Sequence, residues 1–529
     1  MPADSRWPAR IRGDGRSRGA ALSQPVDQRM AATPAAQPGE EVAALDLGSN
    51  SFHLVVARLY GGELFVLDRL RESVQLAAGL NQRGRLDGAA VERALACLER
   101  FGQRVAGIAP HRIRAVGTNT LRTARNAREF LRRGEQVFGH QIEVVSGFEE
   151  ARLIYAGAVF ALGHGERERL VTDIGGGSTE LIIGRGREPR MMDSMQVGCV
   201  SLTRSCFADG RISRKRMQRA RLAALQELEP VARIYREGTW EEAVGASGTI
   251  RAVEAVIRSR GLGSGITADS LDALERDLVR AGHVSALREP ELDPQRAEIF
   301  PAGVAILRGV VEALEISRMG VTGGALREGL LLDLAGRRER ADIREQTVAA
   351  LMRRYAVDIA QARRVEATAL AAFRQVADAW GLDGYARQLL RWAACLHELG
   401  LSIAHSRYHR HGAYILENAD LAGFSRQEQQ LLATLVRCHR RGWRRALFRD
   451  LPGEWPVRTA RLAVLLRLAV LLHRDRGEVA RTVPRLEAGT DRLCVRLGQD
   501  YLQRHPLTRA DLQEEVHRLR SARIRLEID

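Results

Sequence analysis

The pattern of apolar and polar positions changes character along the chain. Between Glu41 and about Asp333, short β-rich runs alternate with amphipathic stretches. The strand-like runs include AALDLGSNSFHLVVA, LFVLDRL, IRAVGTN, IEVVSG, LVTDIGGGSTELIIG and MGVTGG, with helical segments such as AAVERALACLERFGQRVAG between them. This alternation predicts an α/β fold. After Ile343, helical runs follow one another: QTVAALMRRYAV, AQARRVEATALAAFRQVADAW, YARQLLRWAACLHELG and RQEQQLLATLVRCHRR. Strand signals return only in DRLCVRLG and SARIRLEID. Residues 1–40 are rich in Arg, Ala, Pro, Gly and Ser, lack apolar periodicity, and read as a disordered leader. The expected organisation is a leader over 1–40, two α/β domains over 41–154 and 155–341, an all-α domain over 342–484, and a small α+β piece over 485–529.

One strand-turn-strand pattern occurs twice, at Ala43 to Ala57 and at Leu170 to Gly184. Asp46 matches Asp173, Gly48 matches Gly175, and Ser51 matches Ser178. A buried strand, a small-residue turn and a returning strand make a loop whose backbone N–H groups can face an oxyanion. Two such loops predict a phosphate held between two related domains. The expected phosphate-binding residues are Gly48, Ser49, Asn50 and Ser51 in the first loop, and Gly175, Gly176, Gly177, Ser178 and Thr179 in the second. Glycine lets backbone approach an oxyanion closely, and Ser178 and Thr179 add hydroxyl donors. Asp46 and Asp173, at strand ends, would take a hard divalent cation, Mg²⁺ or another such as Mn²⁺; K⁺ is a further cofactor candidate. Neither loop is a Walker A or a Rossmann motif, since no GKS or GKT and no helix-opening GxGxxG follows.

Further small-residue turns lead into helices. In GTNTLR, Thr118 and Asn119 can donate to an oxyanion and Arg122 can clamp one. In SGFEEARL, Glu149 and Glu150 fall in a first helical turn, where the dipole suits them. GASGTIRA, with Ser247 and Gly248, and GVTGGALREG open helices whose N-termini favour anions.

Composition narrows the reading. At 529 residues, with 45% apolar and 28% charged positions, the chain is an ordinary globular one, without an apolar run of transmembrane length. The net charge of +16 rests on arginine, since the only lysine is Lys215. Such a balance reflects either arginine usage on solvated surfaces or a polyanionic partner. Aromatics make up only 5% and do not interleave with the basic residues, so a phosphate polymer fits better than a nucleic acid. Cys97, Cys199, Cys206, Cys395, Cys438 and Cys494 are scattered without a CxxC pair, which excludes a disulfide framework and a zinc cluster and predicts a reducing, cytoplasmic setting, with peripheral membrane association as a variant.

DLGSNS, GTNTLR, EEARLIYAGA, DIGGGSTEL, GASGT and GGALREG occur in an order and spacing that resembles the exopolyphosphatase and guanosine pentaphosphate phosphatase family, from about Glu41 to the C-terminus. The resemblance implies two actin-like (ribonuclease H-like) domains sharing a duplicated phosphate loop, then an all-α HD-like domain and the small C-terminal piece. It implies hydrolysis of a terminal phosphoanhydride by water, with release of orthophosphate. The family's two carboxylates map to Glu150 and Glu180. Glu150 is assigned as general base and Glu180 as its partner in orienting water, with the two roles interchangeable at this stage. The position matching Glu180 in the first loop is His53.

The leading expectation is an exopolyphosphatase acting on inorganic polyphosphate as a homodimer. The alternative is removal of the 5′-terminal phosphate from guanosine pentaphosphate. A sugar- or acetate-kinase-like ATPase is disfavoured by the two carboxylates, and a non-enzymatic sensor would bind without turnover. In the helical domain, His397, His405, His409, His411 and His439 have the spacing of a metal site, with His405 and His409 expected on one helical face. His397-Glu398 resembles the His-Asp pair of HD phosphohydrolases with Glu replacing Asp, which implies a non-catalytic remnant. Arg407, His409, Arg410 and His411 with Arg437, His439, Arg440 and Arg441 would form a cationic surface for a phosphate chain if they converge.

Overall fold

The structure, a computed structural model, describes residues 40–529 apart from 61–62, 164, 339–341, 478–483, 498 and 523. The expected leader lies outside the described residues up to residue 39, and Glu40 opens the first strand.

Two five-stranded sheets repeat one topology. β1 (Glu40–Leu47), β2 (Ser51–Tyr60) and β3 (Glu63–Ser73) form an antiparallel meander. β4 (Ile113–Gly117) and β5 (Ile142–Val144) add in parallel beyond β1, giving the order β3-β2-β1-β4-β5. β6 (Glu168–Ile174), β7 (Thr179–Arg185), β8 (Glu188–Met195), β9 (Glu242–Gly245) and β10 (Met319–Val321) repeat it as β8-β7-β6-β9-β10. The central strands are covered on both faces: Ala43, Ala44, Leu45, Leu170 and Val171 are fully buried. That explains why their sequences run apolar without alternation.

The helix after each sheet crosses to the other sheet. Gly147–Leu162 leaves β5 and packs on β7 and β8, while Leu326–Arg338 leaves β10 and packs on β1 and β2. Val42, Ala44 and Val55 of the first sheet share a buried cluster with Val171 and Ile182 of the second and with Leu153 and Leu330 of these helices. The helix backbones nearly touch: a Cβ on Gly157 would lie 1.9 Å from the Ala325 carbonyl oxygen, so only glycine fits. The 154/155 position lies within Gly147–Leu162.

From Ile343 onward, helices including Ile359–Trp380, Gly384–Leu396, Tyr408–Asn418, Arg426–Cys438 and Trp455–Leu472 share one apolar core. That core continues through Leu486, Leu493, Val495 and Leu526 into a three-stranded sheet of β11 (Arg485–Ala488), β12 (Arg492–Arg496) and β13 (Arg525–Ile528). This helical region docks on the first sheet. Gln427 accepts from Val144 N at 2.9 Å and donates to Ile142 O at 3.2 Å, completing the edge of β5. Gly423 N donates to Glu149 at 2.8 Å, and Arg337 donates to Gly423 O at 2.9 Å. Among the described residues no helix is long and apolar enough to cross a membrane.

Candidate active site

The duplicated pattern folds as two hairpins, β1–β2 and β6–β7. Asp46 pairs with His53 across the first, and Asp173 pairs with Glu180 across the second. Directly opposed residues project on one face of a sheet, so the four side chains occupy equivalent places. One device holds both loops. The Ser49 carbonyl accepts from Ala77 N, and the Asn50 carbonyl from Val74 N and Gln75 N; the Gly175 carbonyl accepts from Cys199 N, and the Gly176 carbonyl from Val200 N and Ser201 N. In a trans peptide the N–H points opposite the C=O. The N–H groups of Asn50, Ser51, Gly176 and Gly177 are therefore turned away from these supports. The glycines also admit the facing groups. A Cβ on Gly176 would lie 2.8 Å from Ser49 Cβ, and one on Gly177 would lie 2.3 Å from Asn119 Oδ1.

A cleft of about 270 Å³ opens between the loops. Its walls bring together Asp46, Gly48, Ser49, Asn50, Ser51, Thr118, Asn119, Glu150, Asp173, Gly175, Gly176, Gly177, Ser178, Ser247 and Gly248. Three expected residues stand behind the walls. Arg122 is spent on Glu150, donating to its Oε2 at 2.5 Å and to the Val145 carbonyl at 3.1 Å. The Thr179 hydroxyl donates to the Val197 carbonyl at 2.6 Å. Glu180, 1% exposed, accepts the Ser194 hydroxyl at 2.7 Å. The Ser247 hydroxyl is also engaged, accepting from Ile250 N as the cap of Gly248–Ser259.

The two glutamates of the EEAR motif have separate duties. Glu149 is fully buried, accepts from Arg152 Nε at 2.7 Å and Nη2 at 2.8 Å, and accepts from Gly423 N. It anchors the helical region. Glu150, one residue on, lines the cleft. Burial and then the Glu150 charge push Asp46 up to about 8 and Asp173 up to about 7, and burial followed by Glu150 and Asp173 holds Glu180 well above the carboxylate range. Among the described residues, buried Asp46 Oδ1 has no hydrogen-bond partner. Such an all-oxygen set suits a hard divalent cation, which would displace the protons. No three His, Cys, Asp or Glu side chains form a metal-holding group among the described residues. Asp46 and Asp173 could thus hold a cation with phosphate oxygens and water as its other ligands, which is how Mg²⁺ commonly binds.

Sequence reasoning missed the cationic wall. Arg69 and Arg71 on β3, Arg251 and Arg296 on helices, and Arg327 all line the cleft. Arg251 and Arg327 stand inside GASGTIRA and GGALREG, motifs read for their small residues alone. Arg69 and Arg71 share a strand face by their spacing, yet arginine is too abundant in this chain for the pair to stand out. Burial and neighbouring arginines press Arg251 and Arg296 below the usual guanidinium range, an electrostatic strain that a bound polyanion relieves.

In the helical region, His397, His409 and His439 are buried, whereas His405 is exposed and precedes the helix Tyr408–Asn418 rather than sharing its face with His409. His397 and His439 each bond a backbone carbonyl through Nδ1 at 2.7 Å, and their ring centroids lie 5.4 Å apart. Burial first, then Arg437, Arg440, Arg410 and Arg441, lowers His409 to about 4. These four arginines therefore converge. None of them forms an ion pair with an acid among the described residues, and Arg440 instead covers the Tyr408 ring at 4.6 Å.

Residues 55–338 match the model of the Ppx/GppA phosphatase family, and residues 343–516 match that of Ppx/GppA phosphatase, domain III. A guanosine-5′-triphosphate,3′-diphosphate pyrophosphatase of Aeromonas hydrophila is 40% identical over 479 residues, covering 90% of this chain and 96% of that protein. The crystal structure of an exopolyphosphatase from Cytophaga hutchinsonii is similar in fold at 21% identity and a TM-score of 0.51, covering 56% of this chain and 98% of that one.

Proposed function

The chain belongs to the Ppx/GppA phosphatase family, and from that premise we propose that it removes the terminal 5′ phosphate of guanosine pentaphosphate as orthophosphate. The observation that carries the chemistry is Glu150 on the wall of a cleft that it shares with Asp46, Asp173, the two small-residue loops and five arginines. The substrate is drawn from the Aeromonas hydrophila relative, which matches this chain over nearly its whole length. That relative moves the nucleotide ahead of the polymer expected from sequence.

In this reading the two loops grip successive phosphates through the N–H groups of Asn50, Ser51, Gly176 and Gly177. The arginines neutralise the anionic chain beyond them. A water beside Glu150 gives its proton to that carboxylate as its oxygen bonds to the terminal phosphorus. The bond from that phosphorus to the bridging oxygen breaks, and the electron pair stays on the departing phosphate. Arg122 fixes the Glu150 carboxylate, and Glu180, behind it, acts through it. Asp46 and Asp173 would hold a divalent cation, which when bound supplies positive charge to the phosphate oxygens.

The unpaired convergence of Arg410, Arg437, Arg440 and Arg441 favours inorganic polyphosphate as a second substrate. The test is orthophosphate release from guanosine pentaphosphate and from long-chain polyphosphate in Mg²⁺ buffer. Turnover of the nucleotide is expected, and an Arg437→Ala, Arg440→Ala double variant should raise KM for long chains alone. No phosphate from either substrate would sink the assignment.

The cation has its own test. Because Asp46 and Asp173 have raised pKa values, the metal-free fold keeps protons that the unfolded chain has released. Metal-free stability therefore declines as pH rises from the ordinary carboxylate range through about 8. A divalent cation offsets that loss and competes with those protons. Adding Mg²⁺ should raise the thermal midpoint more at about pH 8.5 than at about pH 6. Equal gains at both would remove the two aspartates from the cation's ligands.

A further inference from the structure

We infer that His53 is a catalytic residue, an uncharged hydrogen-bond donor to the phosphate that departs when the terminal phosphoanhydride breaks. This rests on the phosphoanhydride reading above and adds to it a group on the leaving side. His53 lines the same cleft as Glu150. It stands across β1–β2 from Asp46, the place that Glu180 takes across β6–β7 from Asp173. The duplication thus put a carboxylate at this position in one half and an imidazole in the other.

The tautomer follows from its partner. Arg327 Nη1 lies 3.0 Å from His53 Nδ1. A guanidinium only donates, so Nδ1 is the acceptor and the imidazole proton sits on Nε2. No protein group among the described residues takes up that Nε2–H. Arg327 opens the helix that follows β10, so the second sheet's half sets the tautomer of a residue carried by the first. With Nδ1 accepting from Arg327 and the one proton on Nε2, the ring is uncharged.

The side of the reaction follows from what surrounds it. In an in-line displacement the attacking and leaving oxygens lie on opposite sides of phosphorus. The carboxylates gather around Glu150, whose charge acts on Asp46, Asp173 and Glu180. His53 stands between Asp46 on β1 and Arg71 on β3, and its Nδ1 meets Arg327 at 3.0 Å, so it lies where the carboxylates give way to the arginines. A substrate with its terminal phosphate at Glu150 extends toward those arginines, which puts its penultimate phosphate within the reach of Nε2–H. As the bond breaks, negative charge grows on the former bridging oxygen. His53 stabilises that charge with a hydrogen bond and keeps its proton; the water's proton goes to Glu150. A donor aimed at the departing oxygen gains strength as negative charge grows there, and so favours the transition state over the bound substrate.

The experiment compares His53→Leu with His53→Gln in steady-state orthophosphate release, with thermal midpoints for both. Leucine fills the space without a donor; glutamine restores an N–H at similar reach. The leucine variant should lose about 10²- to 10³-fold in kcat with KM little changed, and glutamine should recover most of that loss. If leucine turns over like the unaltered protein, or if both variants are equally impaired, His53 has no donor role. An inactive unaltered protein instead fails the phosphoanhydride reading itself.

Discussion

Glu150→Gln should lower kcat by about two to four orders of magnitude while nucleotide affinity stays within a few-fold. Glutamine is isosteric and its carbonyl oxygen can still accept from Arg122, so the cleft keeps its shape. It cannot take a proton from water. Steady-state phosphate release beside equilibrium binding separates the two effects. Glu180→Gln should cost less, because Glu180 is 1% exposed behind the wall and its bond from Ser194 survives in the amide. Near-normal turnover by Glu150→Gln would take Glu150 out of the base role.

Glu149→Ala should cost about 3–5 kcal/mol of unfolding free energy, the usual result of deleting one partner from a buried ion pair. Glu149 is fully buried and holds Arg152 with two bonds, while Asp333 takes Arg114 and a second donor of Arg152. Alanine leaves Arg152 with Asp333 alone and Arg114 with Asp333 and Glu143, and it frees Gly423 N, a contact that ties the helical region to the helix Gly147–Leu162. Denaturant unfolding measures the loss. Glu149→Gln, which keeps an acceptor for Gly423, should lose less. Unchanged stability in the alanine variant would mean that Glu149 does not anchor the helical region.

The paired hairpins were legible in sequence because they are local. Two runs with matching Asp, Gly and Ser fold as β1–β2 and β6–β7, and the alignment that set His53 against Glu180 is the register of the strands. The helical change at Ile343 was legible for the same reason, since its apolar period is local. What stayed hidden depends on distant partners. Nothing near Val74–Ala77 or Cys199–Ser201 signals that their N–H groups hold the two small-residue loops. Arg122 reads as a phosphate clamp until Glu150 is found at its guanidinium. Glu149 and Glu150 look alike in a first helical turn, and Gly423, far along the chain, marks Glu149 as the anchor. The glycines of GGGSTE were read as room for an oxyanion, yet at Gly176 and Gly177 that room is filled by Ser49 and Asn119.

The central claim is that a solvent oxygen ends on the terminal phosphorus while the bridging oxygen leaves with the nucleotide, and the position of the new oxygen tests it. Guanosine pentaphosphate turned over in ¹⁸O-enriched water should release orthophosphate carrying one solvent oxygen and leave a nucleotide product with none, as read by mass spectrometry. Label in the nucleotide, or unlabelled orthophosphate, would contradict the account.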